Sequence, residues 1–265
     1  MFDQTKLVLC LLAAVAATTP AAADVWDLGS DSDNLLNTAS DNELWHGVAQ
    51  THDLGALPGP AEDVDFYSVF GDPFRSYEAL VVGTTGDLNN GGAPDFQFDR
   101  VNQSQTVLQT FTAVSPLSYS RAIAWQQGPG SSTSYLRVRG AGCGTACTAD
   151  DQYTLLFRET TYSIPRFNNS GSQVTTLIIQ NNSAVPVVTT VWYFGPGGGP
   201  SLGNVSFTLA PQALAVVPTV QTVPNQSGSI LVSHDGHYGA LSGKGVALEP
   251  STGFTFDTPM VPVPE

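Results

Sequence analysis

From position 24 onward, apolar residues recur in short runs rather than at helical spacing. The runs are rich in β-branched and aromatic residues, and Gly, Pro, Asn or Asp bounds each of them, which is typical of strands separated by turns. The first series of runs comprises residues 66–70, 79–82, 96–98, 107–111, 122–125, 135–138 and 153–157. The second comprises residues 174–179, 187–194, 205–209, 213–217, 229–233 and 245–248. This pattern predicts an all-β protein built from two β-sandwich domains.

The charge of the chain changes between these two series. Residues 24–160 contain 18 acidic and 6 basic residues, whereas residues 161–265 contain 4 acidic and 2 basic residues. Pro165 interrupts the strand pattern close to this change. We therefore place the domain boundary between Thr160 and Pro165, with one β-sandwich over residues 24–160 and a second over residues 161–265.

Residues 1–23 have the features of a cleaved signal peptide. Lys6 supplies a positive charge, residues 7–17 form an apolar run, and small residues precede Asp24. The apolar run is too short to cross a bilayer as a helix. We expect a mature chain that begins near Asp24, has no transmembrane segment, and is secreted, periplasmic or displayed on the surface of a bacterial cell.

The composition narrows the classes of partner. The chain is 42% hydrophobic and 12% charged, and it carries a formal net charge of −14. Such a chain can bury sizeable cores, but its acidic surface repels phosphate groups, and its sequence lacks the Lys and Arg clusters that bind nucleic acids. These features argue against nucleic acids and anionic membranes as partners.

Cys143 and Cys147 are the two cysteines that follow the leader. In an oxidising compartment they are close enough in sequence to form a disulfide that closes a small loop. No second pair of cysteines or histidines lies nearby in the sequence to complete a zinc site, and the spacing does not fit the Cys-x-x-Cys redox motif. We expect a structural disulfide, with free thiols as the alternative.

Four strings in the first half share a recognisable form. They are Glu-Asp-Val-Asp-Phe-Tyr at 62–67, Pro-Asp-Phe-Gln-Phe-Asp at 94–99, Ser-Tyr-Leu-Arg-Val-Arg at 134–139 and Asp-Gln-Tyr-Thr-Leu-Leu at 151–156. Together they resemble the bacterial pre-peptidase C-terminal (PPC) domain, a small jelly-roll-like β-sandwich of secreted proteases and other exported proteins. Residues 166–254 resemble immunoglobulin-like C-terminal domains of exported bacterial proteins. These resemblances imply a jelly-roll-like sandwich followed by an immunoglobulin-like one.

The first of these strings contains a candidate metal site. Alternation along a strand places Asp63, Asp65 and Tyr67 on one face, so that the two carboxylates converge within reach of one cation. Calcium prefers several such hard oxygen ligands, and the Asp-Ser-Asp-Asn segment at 31–34 is expected to add to them. Asp63 and Asp65 are therefore a candidate calcium site. The alternative is an acidic, solvated strand edge that prevents the sheet from pairing with other chains.

Two further motifs look functional but fit ordinary structure better. His234 and His237 flank Asp235-Gly236, a strong signal for a two-residue hairpin turn, and they have no third ligand for a catalytic zinc ion. The glycine run at 195–200 lacks the helix and the lysine that accompany a phosphate cradle, so it predicts a hairpin loop.

The aromatic run Trp192-Tyr-Phe194 precedes that glycine run. In a sandwich strand we expect Trp192 and Phe194 to face the core and Tyr193 to lie at the surface. The alternative is that these rings are exposed, where they would stack on sugars or mark a protein contact.

The sequence contains no complete set of catalytic residues. We therefore expect a non-catalytic exported protein that presents β-sandwich surfaces to an extracellular polysaccharide, a protein or a cell-surface partner. One alternative is a small secreted hydrolase in which carboxylates such as Asp63 and Asp65 act as acid and base. Another is a structural subunit of an extracellular assembly.

Overall fold

A computed structural model describes residues 33, 35–36, 43–55, 62–88, 96–113, 121–141, 143 and 146–263, with the backbone alone described at positions 112, 113 and 121. The predicted leader at 1–23 lies outside the described residues, as do Asp31 and Asn34 of the acidic segment. Within the described residues, no helix is long and apolar enough to cross a membrane.

The first nine strands form two antiparallel sheets. The strands are β1 (Ala49–Asp53), β2 (Val64–Gly71), β3 (Ser76–Val82), β4 (Phe96–Val101), β5 (Val107–Thr110), β6 (Thr112–Ala113), β7 (Arg121–Gln126), β8 (Ser132–Gly140) and β9 (Gln152–Glu159). One sheet has the order β2-β8-β4-β5 and the other the order β1-β9-β3-β7-β6. We call these two sheets the N-terminal sheet pair.

The remaining nine strands form two more antiparallel sheets, here called the C-terminal sheet pair. The strands are β10 (Tyr162–Asn168), β11 (Val174–Asn181), β12 (Val187–Phe194), β13 (Ser201–Leu209), β14 (Leu214–Pro218), β15 (Ser227–His234), β16 (Leu241–Glu249), β17 (Phe254–Pro259) and β18 (Val261–Pro262), with a short 3-10 turn at Thr219–Gln221. Their orders are β13-β12-β15-β10-β18 and β14-β11-β16-β17. The four sheets confirm the predicted all-β, sandwich-type fold.

Strand alternation buries one apolar core in each sheet pair. In β8, for example, Leu136 and Val138 are buried, while the residues between and beside them are partly exposed. The core of the N-terminal pair extends to Phe157, and the core of the C-terminal pair begins at Tyr162, with no residue shared between them. Whether the two halves fold independently, and whether they have the jelly-roll and immunoglobulin topologies, stays a prediction.

Pro165 lies within β10 rather than between domains. The register of β10 against β15 shifts between Ile164 and Phe167, and Pro165 sits in this irregularity. A bulge is one of the few places in a sheet that accept proline, because the ring removes a backbone donor. The interruption that the sequence pattern suggests is therefore local.

The middle of strand β2, Asp65–Val69, is buried on both faces. Phe66 packs outward with Val101 in a small apolar cluster to which Leu36 adds, and its backbone N–H donates to the carbonyl of Asp33 over 2.8 Å. Glu43 forms an isolated bridge with Ser68 of the same strand. Asp33 and Glu43, which precede β1, therefore bond along the free edge of β2, and Leu36 packs on its outer face.

Of the two predicted hairpins, the structure contains one. The glycine run at 195–200 connects β12 to β13, which are paired neighbours, so that hairpin is confirmed. The hairpin predicted at Asp235-Gly236 is wrong, because β15 and β16 belong to different sheets. Strand β15 pairs with β10 along one edge and with β12 along the other. Neither edge is left for pairing with β16.

Candidate functional site

The predicted carboxylates lie inside the N-terminal sheet pair. Asp63, immediately before β2, and Asp65, within it, are each 1% exposed. Tyr67 is also buried and belongs to the main core, whereas Phe66 belongs to the cluster on the opposite face. The expected alternation of Asp65 and Phe66 is therefore present. The alternative of a solvated strand edge is wrong, because both aspartates are buried.

Asp65 is held by a short chain of phenols. Tyr153 of β9 donates a hydrogen bond to Oδ2 of Asp65, and the hydroxyls of Tyr67 and Tyr153 lie 2.5 Å apart. Burial is the main cause that raises the pKa of Tyr153 well above its ordinary value, and the charge of Asp65 adds to it. Tyr153 therefore remains a protonated donor at neutral pH and can stabilise an ionised Asp65.

His52 of β1 brings a second carboxylate to this place. Its Nδ1 lies 3.3 Å from Oδ2 of Asp33, and both side chains are at most 2% exposed. The ring contacts Tyr67 edge to face at 4.9 Å and stacks on Tyr153 at 5.8 Å. One donor atom each from Asp33, His52 and Asp65 lies within 4.8 Å of the others. We call Asp33, His52, Asp65, Tyr67 and Tyr153 the inner polar cluster.

The sequence identified part of this cluster. Asp65 and the 31–34 segment, through Asp33, meet as expected, whereas Asp63 is not one of the three donors that meet. His52 and Tyr153 were missed because a single His or Tyr in a strand has no motif around it. The sequence offers one weak signal for His52: strand alternation places it on the same face as Gln50. The two side chains are in contact in the structure.

The opposite face of β2 forms one side of an open groove, here called the outer groove, with a volume of about 790 Å³. Ser68 of β2 stands opposite Tyr135 of β8, and Phe70 stands opposite Thr133. Phe70 is 57% exposed. The other lining residues are Leu35, Leu36, Glu43, Gln103 and Gln105.

The groove is rich in aromatic and neutral polar groups. Tyr135 and Phe70 are diagonal neighbours across two paired strands, a separation of about 7–8 Å that long side chains bridge. Gln103 and Gln105 supply amides, and Glu43 is the one charged residue among the described residues of the lining. Apolar rings flanked by uncharged donors and acceptors suit a ligand that has both hydroxyl groups and apolar faces.

A second polar site joins the two sheet pairs. Glu78 of β3 is buried, and its Oε1 lies 2.8 Å from Nδ1 of His237, while Oε2 accepts the backbone N–H of Tyr238. The hydrogen bond that His237 donates to Glu78 is the main cause that raises the pKa of His237. The sequence pattern predicts a turn residue at His237. It does not indicate the carboxylate partner, because Glu78 is 159 positions away.

His234 lies at the same boundary but in a different environment. Its Nε2 is 2.9 Å from the carbonyl oxygen of Thr160, and its Nδ1 accepts the backbone N–H of Gly236. The carbonyl can only accept, so Nε2 carries the proton. Burial lowers the pKa of this imidazole from 6.5 to about 4, which leaves it neutral at physiological pH. His234 and His237 therefore stabilise the contact between the sheet pairs.

The aromatic run of β12 also belongs to this contact. Tyr193 is fully buried in the core, so the predicted orientation of Trp192, Tyr193 and Phe194 is wrong. Trp192 and Phe194 pack edge to face on Phe74 of the N-terminal half, with ring centroids 4.9 and 5.2 Å away. The inverted alternation allows the two outward rings to bind a neighbouring part of the same chain.

Cys143 and Cys147 form a disulfide, with their Cα atoms 5.0 Å apart. This pairing agrees with the prediction from their spacing. Asp151 lies close to the two sulfurs. Its carboxylate already accepts the backbone N–H groups of Asp87 and Thr148, so it serves the turn.

Comparison with known proteins does not assign this chain to a family. No protein-family model matches it, and no curated protein matches it. Its function therefore has to be inferred from the geometry of its own residues.

Proposed function

We propose that this chain is an exported, non-catalytic protein that binds a neutral polysaccharide in the outer groove. The observation that carries the proposal is that exposed Phe70 and its diagonal neighbour Tyr135 line one groove together with hydroxyl and amide groups. Sugar rings present apolar C–H faces and many hydroxyls, which match stacking rings and uncharged hydrogen-bonding groups. The signal-like leader and the disulfide support export.

The charge of the groove favours a neutral polymer over an anionic one. Glu43 is negative, and the chain as a whole carries a net charge of −14. An anionic polymer would meet repulsion from both, while a neutral polymer would not. A neutral glucan or chitin-like polymer is therefore the preferred ligand class.

The position of the carboxylates supports binding rather than hydrolysis. Asp63 and Asp65, the acid and base of the hydrolase alternative, are enclosed in the sandwich and cannot reach a substrate in the outer groove. Glycosidases use two carboxyl groups about 5–9.5 Å apart on either side of the bond they cleave. Glu43 is the one carboxylate among the described residues that line the groove.

The test is affinity electrophoresis with a panel of neutral and anionic polysaccharides. Tyr135→Ala is expected to weaken binding of a neutral polymer by about fivefold, since one stacking contact is worth on the order of 1 kcal/mol. The matched control is Phe254→Ala, because Phe254 is 64% exposed in the C-terminal sheet pair, remote in sequence from the groove. Absence of binding to every neutral polymer, or equal losses in both variants, would refute the proposal.

The assembly alternative is supported by a different surface. On β14, Leu214 and Val216 are 55% and 60% exposed. They share one sheet face with Ile178 of β11, which is paired with Val216, and with Leu248 of β16. Exposed apolar patches mark interaction sites. Light scattering after size exclusion tests this: a concentration-dependent oligomer that Val216→Lys converts to a monomer supports assembly, and a wild-type monomer at all concentrations excludes it.

A further inference from the structure

The tautomer of His52 is fixed by its neighbour. Nε2 of His52 lies 3.3 Å from Oε1 of Gln50, and an amide oxygen can only accept, so Nε2 carries a proton. The other nitrogen, Nδ1, faces Oδ2 of Asp33 at 3.3 Å. Two acceptor atoms this close in a buried site need a proton or a metal ion between them. A histidine whose second N–H donates to a carbonyl oxygen is the usual arrangement of a metal ligand.

The charge of the cluster calls for a cation. Asp33, His52 and Asp65 are all buried, and the two aspartates bring two formal negative charges against at most one positive charge on His52. Oδ1 of Asp33 is fully buried and accepts no hydrogen bond from the residues that the structure describes. Buried carboxylates are normally paired or bound to metal ions, because an isolated charge is costly in the protein interior.

We propose that Asp33, His52 and Asp65 bind one divalent transition-metal ion of the zinc class inside the N-terminal sheet pair. The 3.3 Å between Nδ1 of His52 and Oδ2 of Asp33 matches the ligand-to-ligand edge of about 3.4 Å around a tetrahedral ion with ligands at about 2.1 Å. Tyr153 orients Asp65 as an outer-shell partner through its hydrogen bond.

The imidazole nitrogen decides the class of metal. Calcium binds six to eight oxygen ligands, whereas zinc takes histidine nitrogen together with aspartate oxygen in four-coordinate sites. The proposed site thus differs from the calcium site expected from Asp63 and Asp65 in both its ligands and its ion. It does not depend on polysaccharide binding.

The proposed ion has a structural role. It joins Asp33, which precedes the first strand, to β1 through His52 and to β2 through Asp65. Leu35 and Leu36, next to Asp33, line the outer groove. Metal binding through Asp33 therefore restrains Leu35 and Leu36, two of the residues that line the groove.

The test uses the full chain, exported by its host and dialysed against a chelator. Calorimetric titration with Zn²⁺ is expected to give one ion per chain with a micromolar or lower Kd, and a rise in melting temperature of roughly 4 °C at a hundredfold excess over Kd. Titration with Ca²⁺ is expected to give much weaker binding. Co²⁺ bound in place of Zn²⁺ is expected to show the intense visible absorption of a tetrahedral site.

The variants His52→Gln and Asp33→Asn each remove a ligand and are expected to weaken Zn²⁺ binding by roughly 100-fold or more. The control is His237→Gln, which removes another half-buried imidazole beside a carboxylate, Glu78, and should leave the affinity unchanged. The proposal is overturned if the wild-type chain binds no Zn²⁺, if it binds Ca²⁺ more tightly, or if His52→Gln binds Zn²⁺ as well as the wild type. Should both variants fail to fold, an octahedral Co²⁺ spectrum of the wild-type chain would overturn it equally.

Discussion

His234 makes the stability of this protein depend on pH. The side chain is completely buried, and its two ring nitrogens are engaged by the carbonyl of Thr160 and the N–H of Gly236. A second proton on Nδ1 would face the N–H of Gly236 and would have to be accommodated without water. Burial therefore lowers the pKa of His234 from 6.5 to about 4. We predict that acidification destabilises the native state through this residue.

The sign and the size follow from proton linkage. Between pH 6.5 and about pH 4, the unfolded chain binds a proton at His234 that the folded chain excludes, so falling pH favours unfolding. The contribution is fully present above pH 6.5 and is lost as the pH falls towards 4. Between pH 7 and pH 5 this linkage amounts to about 2 kcal/mol. Such a change is a large fraction of the stability of an ordinary domain.

The perturbation is His234→Gln, whose amide can donate to Thr160 and accept from Gly236 but does not titrate. Urea denaturation at pH 7 and at pH 5 gives the free energy of unfolding of each protein. The wild type should lose about 2 kcal/mol more than the variant over this interval. The carboxylates titrate in both proteins, so their contribution to the pH dependence of the free energy of unfolding cancels in the difference.

His237→Gln provides a control of opposite sign. The hydrogen bond with Glu78 raises the pKa of His237, so its contribution is present below pH 6.5 and is lost as the pH rises. Replacing His237 should therefore lower the free energy of unfolding more at pH 5 than at pH 7. Parallel pH dependences in the wild type and in His234→Gln would refute the argument from burial.

Two further predictions concern covalent and aromatic contacts. Replacing Cys143 and Cys147 together with Ser should lower the free energy of unfolding by about 2 kcal/mol, because the unfolded chain loses a short closed loop. Urea denaturation checks this, and two alkylatable thiols in the wild-type protein under oxidising conditions would contradict the pairing. Phe74 has φ 67° and packs on Trp192 and Phe194. Phe74→Ala should cost about 1–3 kcal/mol, and an unchanged melting curve would show that these rings do not stabilise the contact between the sheet pairs.

The strands that the sequence predicted best are those with a clear apolar pattern. The apolar run at 174–179 corresponds to β11, and the run at 135–138 lies within β8. Strand β1, Ala-Gln-Thr-His-Asp, was missed because it is mostly polar. It pairs along one edge of β9, and its His52 and Asp53 are buried by the sandwich around them rather than by an apolar sequence of their own. Propensity alone does not detect such a strand.

The orientation of β12 was decided by packing between the sheet pairs. Alternation by itself allows either Tyr193 or its two neighbours to face the core. Tyr193 faces the core, because Trp192 and Phe194 pack their rings against Phe74 on the other side of the strand. The sequence of β12 does not contain Phe74, so it could not distinguish the two orientations.

What the sequence by itself determined depends on residues close together in the chain. Short apolar runs between turn residues gave the all-β class, and a separation of four positions brought Cys143 and Cys147 within reach of each other. Only the tertiary structure decided which polar groups meet inside the sandwich. Asp65 and Tyr153 are 88 positions apart, and Asp33 reaches them from a segment before the first strand. Their meeting follows from how the sheets pack, and packing joins residues whose spacing in the chain carries no signal.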